Sequence, residues 1–197
     1  MFFASYSPDA EHPHPQPGEY EPPEWVQPPA DTVPFSVPLA RVLGRTEHAA
    51  LALRSAEVYP TGVQFSLLAS VVRRGLDRRA WRDLAEDLYG HAPDADPDSG
   101  LRLGLVFADG TRVETHRAWP GIDGAADGPV LQLLGGGGGG GNERRDSDHR
   151  VWLWPFPPAG PITLHYRWTA LGIGEGSTEL DGDALAAVRD GGVPLWG

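Results

Sequence analysis

Hydrophobic residues in this chain recur mainly at every second position, the spacing of strands that bury one face. Phe35, Val37 and Leu39 alternate, Leu51 and Leu53 oppose Arg54, and Val63, Phe65, Leu67, Ala69 and Val71 mark one face of a long strand. Tyr59-Pro-Thr-Gly62 supplies turn chemistry between the last two runs, which therefore read as a hairpin. Leu101, Leu103, Leu105 and Phe107 repeat the alternation and lead into Asp109-Gly110, the preferred dipeptide of a two-residue type I′ turn. Three more strands are expected over Val130–Leu134, Val151–Phe156 and Ile162–Trp168. In the last, Ile162, Leu164, Tyr166 and Trp168 face one way and Thr163, His165 and Arg167 the other. Val151-Trp-Leu-Trp is apolar at successive positions, which predicts a central strand covered on both faces.

The helical period occurs twice. Over Asp77–Gly90, Trp81, Leu84, Ala85 and Leu88 form one apolar stripe, with Asp77 placed to cap the start and Gly90 to end the helix. A shorter helix is expected over about Asp183–Asp190, after Asp181 as cap. Many turn-linked strands without β-α-β alternation define an all-β class. The expectation is an antiparallel β-sandwich, jelly-roll or immunoglobulin-like, with one or two short peripheral helices.

Punctuation sets the boundaries. Eight prolines within residues 1–32 predict an extended or disordered tail, and the sandwich domain is placed at 33–197. Gly135–Gly141 and the polar run after it read as a flexible Gly-rich loop at 135–150. The alternating glycines of Gly172–Gly176 read as relief of crowding where a strand ends. Trp25 and Val26 are expected to fold back over an open face of the domain, and Trp196 to dock on its body.

Composition then narrows the function. A formal net charge of -11 argues against nucleic acid and against an anionic membrane surface. All 16 basic residues are arginine, and cysteine is absent, which excludes disulfides, thiolate metal sites and a cysteine nucleophile. The first eleven residues have neither the basic nor the apolar region of a signal peptide, so a cytoplasmic location is expected. The glycine run is not a phosphate loop, because no lysine follows it and it leads into a strand. Asp94–Gly100 fails as a calcium loop, with Ser99 and Leu105 where glycine and glutamate are required. The seven histidines show no zinc spacing, and no nucleophile elbow is present. No cofactor is expected.

What remains is a non-enzymatic intracellular β-sandwich that binds a protein partner or its own copy. The alternative is a small-ligand or carbohydrate-binding sandwich, or a hydrolase built on one. The candidate surface comprises Tyr20 and Trp25 of the acidic-aromatic stretch, Trp119 in a loop, Arg144, Arg145, Asp146 and His149 beyond the glycines, and His165 on a strand. Trp152-x-Trp154-Pro-x-Pro-Pro-x-Gly-Pro161, preceded by a glycine run, by Phe107-x-Asp-Gly110 and by Tyr59-Pro-x-Gly62, resembles a group of proteins from high-GC Gram-positive bacteria. The likeness covers roughly residues 25–196. That group has no assigned activity, so the resemblance implies a bacterial source and an all-β fold but no catalytic residue.

Overall fold

A computed structural model describes residues 22–89, 99–115, 126 and 128–196. In chain order the strands are β1 (Thr32–Val33), β2 (Phe35–Arg45), β3 (Ala49–Tyr59), β4 (Gly62–Val72), β5 (Arg102–Val106), β6 (Arg112–Glu114), β7 (Val130–Leu133), β8 (Gly138–Gly140), β9 (Arg144–Trp154), β10 (Pro161–Trp168), β11 (Ile173–Asp181) and β12 (Val193–Pro194). Helix α1 (Arg78–Tyr89) lies between β4 and β5, and α2 (Gly182–Ala187) follows β11. The larger sheet runs β2-β3-β4-β9-β7, with β8 also on β9, and the smaller runs β11-β10-β5-β6. The protein is an all-β antiparallel sandwich with two short helices at its periphery.

The two sheets meet at both edges. On one side Arg41 Nη1 donates to Thr178 Oγ1 at 2.9 Å, and the Tyr166 hydroxyl donates to the Leu43 carbonyl, tying β2 to the smaller sheet. On the other, a single parallel bridge links Thr115 to Leu131. Between the sheets sit Leu51, Leu53, Val63, Phe65, Leu67, Leu105, Leu153, Ile162, Leu164 and Trp168, all buried. These are the inward members of the alternating runs, and removing their apolar area from water is the main drive to this fold.

Several local expectations need correction. The glycine run is not a flexible loop at 135–150. The ladder that β7 makes with β9 continues through it, with Leu134 N–H on Arg150 O, Asp148 N–H on Gly137 O and Gly138–Gly140 paired to Ser147–Arg145. The turn is only Gly141–Glu143, and Arg144–Arg150 is strand, because β4 templates β9 along its whole length. The Asp109-Gly110 turn is a three-residue connection. Phe107 N–H donates to Thr111 O, and Gly110 alone takes a positive φ, of 84°, where a type I′ turn needs two such residues. Residues 173–181 form a full strand. Gly176 is required there by the Tyr166 hydroxyl, which a Cβ would meet at 2.4 Å.

The termini also differ from expectation in part. Trp25 and Val26 fold back and are buried, and Trp152 Nε1 donates to Glu24 O at 2.9 Å, so ordered packing begins within the stretch assigned to the tail. Trp152 therefore has both of its sides covered, as its strand's composition predicts. Trp196 does not dock: it is 80 % exposed, beside the short β1–β12 ribbon.

Candidate functional site

The site is built where β4 leaves the larger sheet. Arg73 N–H still bonds Glu143 O across to the hairpin turn, and the chain then reverses through Arg74 and Gly75, both at positive φ. Asp77 accepts from the backbone N–H groups of Arg79 and Ala80, both at 2.9 Å, and so starts α1. The helix turns Trp81, Ala85 and Leu88 inward, which leaves Arg78, Arg79 and Arg82 on its outer side. Across from it, Arg145 sits opposite Val71 in register, and its guanidinium lies 6.0 Å from the centre of the Trp81 ring.

These elements enclose a cavity of about 790 Å³ lined by Arg73, Arg78, Arg79, Trp81, Arg82, Asn142 and Arg145. Among the described residues no carboxylate lines it. Around the rim, Arg73 pairs with Glu143 at 3.6 Å, Arg79 with Asp83 at 3.9 Å, and Arg82 with Asp83 and Glu86 at 3.5 and 3.7 Å. These are long, solvent-exposed contacts of the kind that contribute little stability. Arg78 and Arg145 have no carboxylate partner among the described residues. On a chain of net charge -11, five converging guanidiniums form a local reversal of sign.

Of the six candidate residues that are described, one contributes to this cavity. Arg145 points inward to it, whereas Arg144 is exposed and pairs with Asp146 at 2.9 Å on the outer face. Trp25 is buried and offers no docking surface. Tyr20 and Trp119 lie outside the described residues, as does most of the Asp94–Gly100 stretch. His149 points between the sheets, edge-on to Trp168 at 5.2 Å between ring centres, and its Nε2 is buried without a partner. Burial holds its pKa below the usual histidine value, with the Asp148 carboxylate opposing more weakly.

His165 lies on the outer face of the smaller sheet. The register sets Ser177, His165, Gly104 and Glu114 in one row across four strands. Gly104 leaves a dip in that row, a cavity of about 630 Å³ that His165, Glu114, Glu175 and Arg112 line in part. The Glu114 carboxylate there is held by Arg102 at 3.1 Å. His165 and Asp146 are thus on opposite outer faces of the sandwich, and His149 is on neither. Among the described residues no group of three or more His, Asp or Glu is placed to hold a metal ion.

Arg73, Arg78, Arg79 and Arg82 were not among the residues that motif reasoning selected. A signal was present, since five of the 16 arginines fall within Arg73–Arg82. Whole-chain charge hides such a cluster, and the helical stripe draws attention to its opposite face. Comparison with known proteins adds no name to this geometry: no family model, no curated protein and no solved structure matches the chain.

Proposed function

We propose that this protein is a non-enzymatic protein-interaction module that captures an anionic segment of its partner in the arginine cavity. The observation that carries this reading is the lining itself: among the described residues, five guanidiniums, an indole and an amide, with no carboxylate. Arginine is suited to the task because its planar fork binds oxyanions in bidentate geometry and is weakly hydrated. Nothing among the described lining residues suits covalent chemistry. No hydroxyl, thiol or imidazole nucleophile is among these residues, and a guanidinium does not exchange protons near neutral pH.

The net charge of -11 repels an anion at long range, while the cavity attracts it at short range. At physiological salt, fields decay over about 8 Å, which mutes the first effect and leaves contact hydrogen bonds largely intact. Affinity should therefore depend on salt less steeply than five arginines alone would imply. The test is fluorescence anisotropy of a labelled glutamate-rich peptide with the full chain and with the Arg78→Glu/Arg145→Glu variant. Binding weakened by at least about tenfold in the variant is expected. Equal binding by the two proteins, or equal binding of a lysine-rich control, would remove the reading.

A second reading, a small-ligand sandwich or a hydrolase, draws on one observation, the Gly104 dip beside His165 and two glutamates. Filling it with Gly104→Leu would abolish ligand binding there and leave the arginine cavity unaffected. Unchanged ligand binding in that variant would eliminate this second reading.

A further inference from the structure

We propose that the group recognised in the arginine cavity is a phosphate ester, carried on an extended segment of the partner. The inference rests on the anion-binding reading above and specifies its ligand. Charge inventory is the first argument. Five guanidiniums line the cavity, and three carboxylates, Asp83, Glu86 and Glu143, lie within ion-pair distance of them, which leaves two positive charges. The two lining arginines without a carboxylate among the described residues are Arg78 and Arg145. A phosphate monoester carries about −1.5 to −2 charges at pH 7, close to that remainder, whereas a carboxylate carries one.

Geometry is the second argument. Arg78 comes from the first turn of α1 and Arg145 from β9, so their forks enter the cavity from different elements. A carboxylate has two oxygens and fills one fork, but the three terminal oxygens of a phosphate ester can serve two forks at once. Asn142 adds an amide donor at the turn. The backbone N–H groups of Arg79 and Ala80 are not available to the ligand, because Asp77 already accepts from them. Recognition therefore falls to side chains.

The glycine strand is the third argument. Gly138, Gly139 and Gly140 are exposed and pair with Ser147, Asp146 and Arg145, so the strand that carries the lining residue Arg145 has a neighbour without side chains. Cβ positions at Gly139 and Gly141 would meet nothing within 4 Å. An extended segment carrying the phosphate can pass over Gly139 and Gly141, whereas the Tyr89 ring lies against Gly138.

The experiment uses the full chain and three degenerate peptide libraries that differ only at a fixed central residue: phosphoserine, glutamate or serine. Binding is read by anisotropy, with inorganic phosphate as competitor. Phosphoserine peptides should bind at least about tenfold more tightly than glutamate peptides, as charge-assisted forks to a dianion imply. The Arg78→Lys/Arg145→Lys variant keeps the charge but loses the forks, so it should lose most of that preference while its unfolding midpoint stays in place. Equal binding of phosphoserine and glutamate peptides would overturn the phosphate assignment and leave the anion-binding module standing. Absence of binding to any of the libraries would overturn both. Inorganic phosphate binding as tightly as the peptides would also overturn the assignment, since the segment would then contribute nothing. So would a phosphate preference that survives in the lysine variant, because it would place the site elsewhere.

Discussion

Strand β9 has two halves that share one hydrogen-bond ladder and little else. Its C-terminal half, Val151–Trp154, is buried between β4 and β7, with the folded-back Trp25 segment over Trp152. Its N-terminal half, Arg144–Arg150, has the same partner on one side but bare glycine on the other, and it carries Arg145 and His149 on its inward face. The backbone does the same work throughout. Side chains decide that one half stabilises the fold while the other forms the wall of a charged cavity. Continuous pairing through the apolar half supplies the rigid frame that a binding half needs.

Substitutions along and around this strand should separate the halves. The largest effect is expected at Trp152, which is fully buried, stands edge-on to Tyr59 at 5.6 Å and donates its indole N–H. Trp152→Ala should cost about 3–5 kcal/mol, read as a shift in the urea unfolding midpoint. A loss below about 1 kcal/mol would show that the apolar half is not the anchor.

The glycine border comes next. A Cβ at Gly138 would lie 2.3 Å from Tyr89 Cε1 and 2.8 Å from Asp146 O, whereas one at Gly139 would meet nothing within 4 Å. Gly138→Val should therefore cost about 1–3 kcal/mol, and Gly139→Val should stay within about 0.5 kcal/mol. Equal effects at the two positions in thermal unfolding would contradict the register of β8 on β9.

His149 gives the charged half a pH signature. Its folded pKa is lowered by burial, so below the unfolded value of about 6.5 the unfolded chain binds more protons than the folded one. Its contribution is complete above that value and is lost as pH falls toward the lowered folded pKa. Unfolding free energies measured between about pH 7 and pH 5 should fall less steeply in His149→Gln than in the parent chain. Parallel profiles would show that this imidazole does not sense the folded interior.

The smallest stability effect is expected at Arg145. Its contact with Trp81 is long, at 6.0 Å, so Arg145→Ala should cost under about 1 kcal/mol while removing most of the anion affinity. A large loss of stability from this change would mean that Arg145 is a structural residue.

The β3–β4 hairpin was legible in the chain because Tyr59-Pro-Thr-Gly62 and two alternating runs all specify the same local geometry, and the observed pairing of Tyr59 with Gly62 follows. Helix α1 was legible for the same reason, down to its Asp77 cap. The glycine strand was not. Glycine has no side chain to show a period, and its strand conformation is imposed by the ladder of β9, itself held by β4. Strand β11 was hidden similarly, since the glycines of Gly172–Gly176 read as relief of crowding at a strand end, whereas the strand runs through them and the Tyr166 ring fills the space at Gly176 alone. The cavity was half legible. Arg144 and Arg145 stood out beside the glycines, but only their register decides that the second faces Trp81 and the first faces solvent.

The chain by itself therefore determines an all-β sandwich with two short helices, the identity of most inward residues, and a dense run of arginine before the first helix. These follow from periodicity and capping, which act between residues a few positions apart. Tertiary structure alone decides that Arg73–Arg82 and Arg145 converge, that the glycine run is an edge strand, and that His149 points between the sheets while His165 points outward. Those outcomes depend on which strand lies beside which, and that is settled by the packing of two whole sheets around a common core.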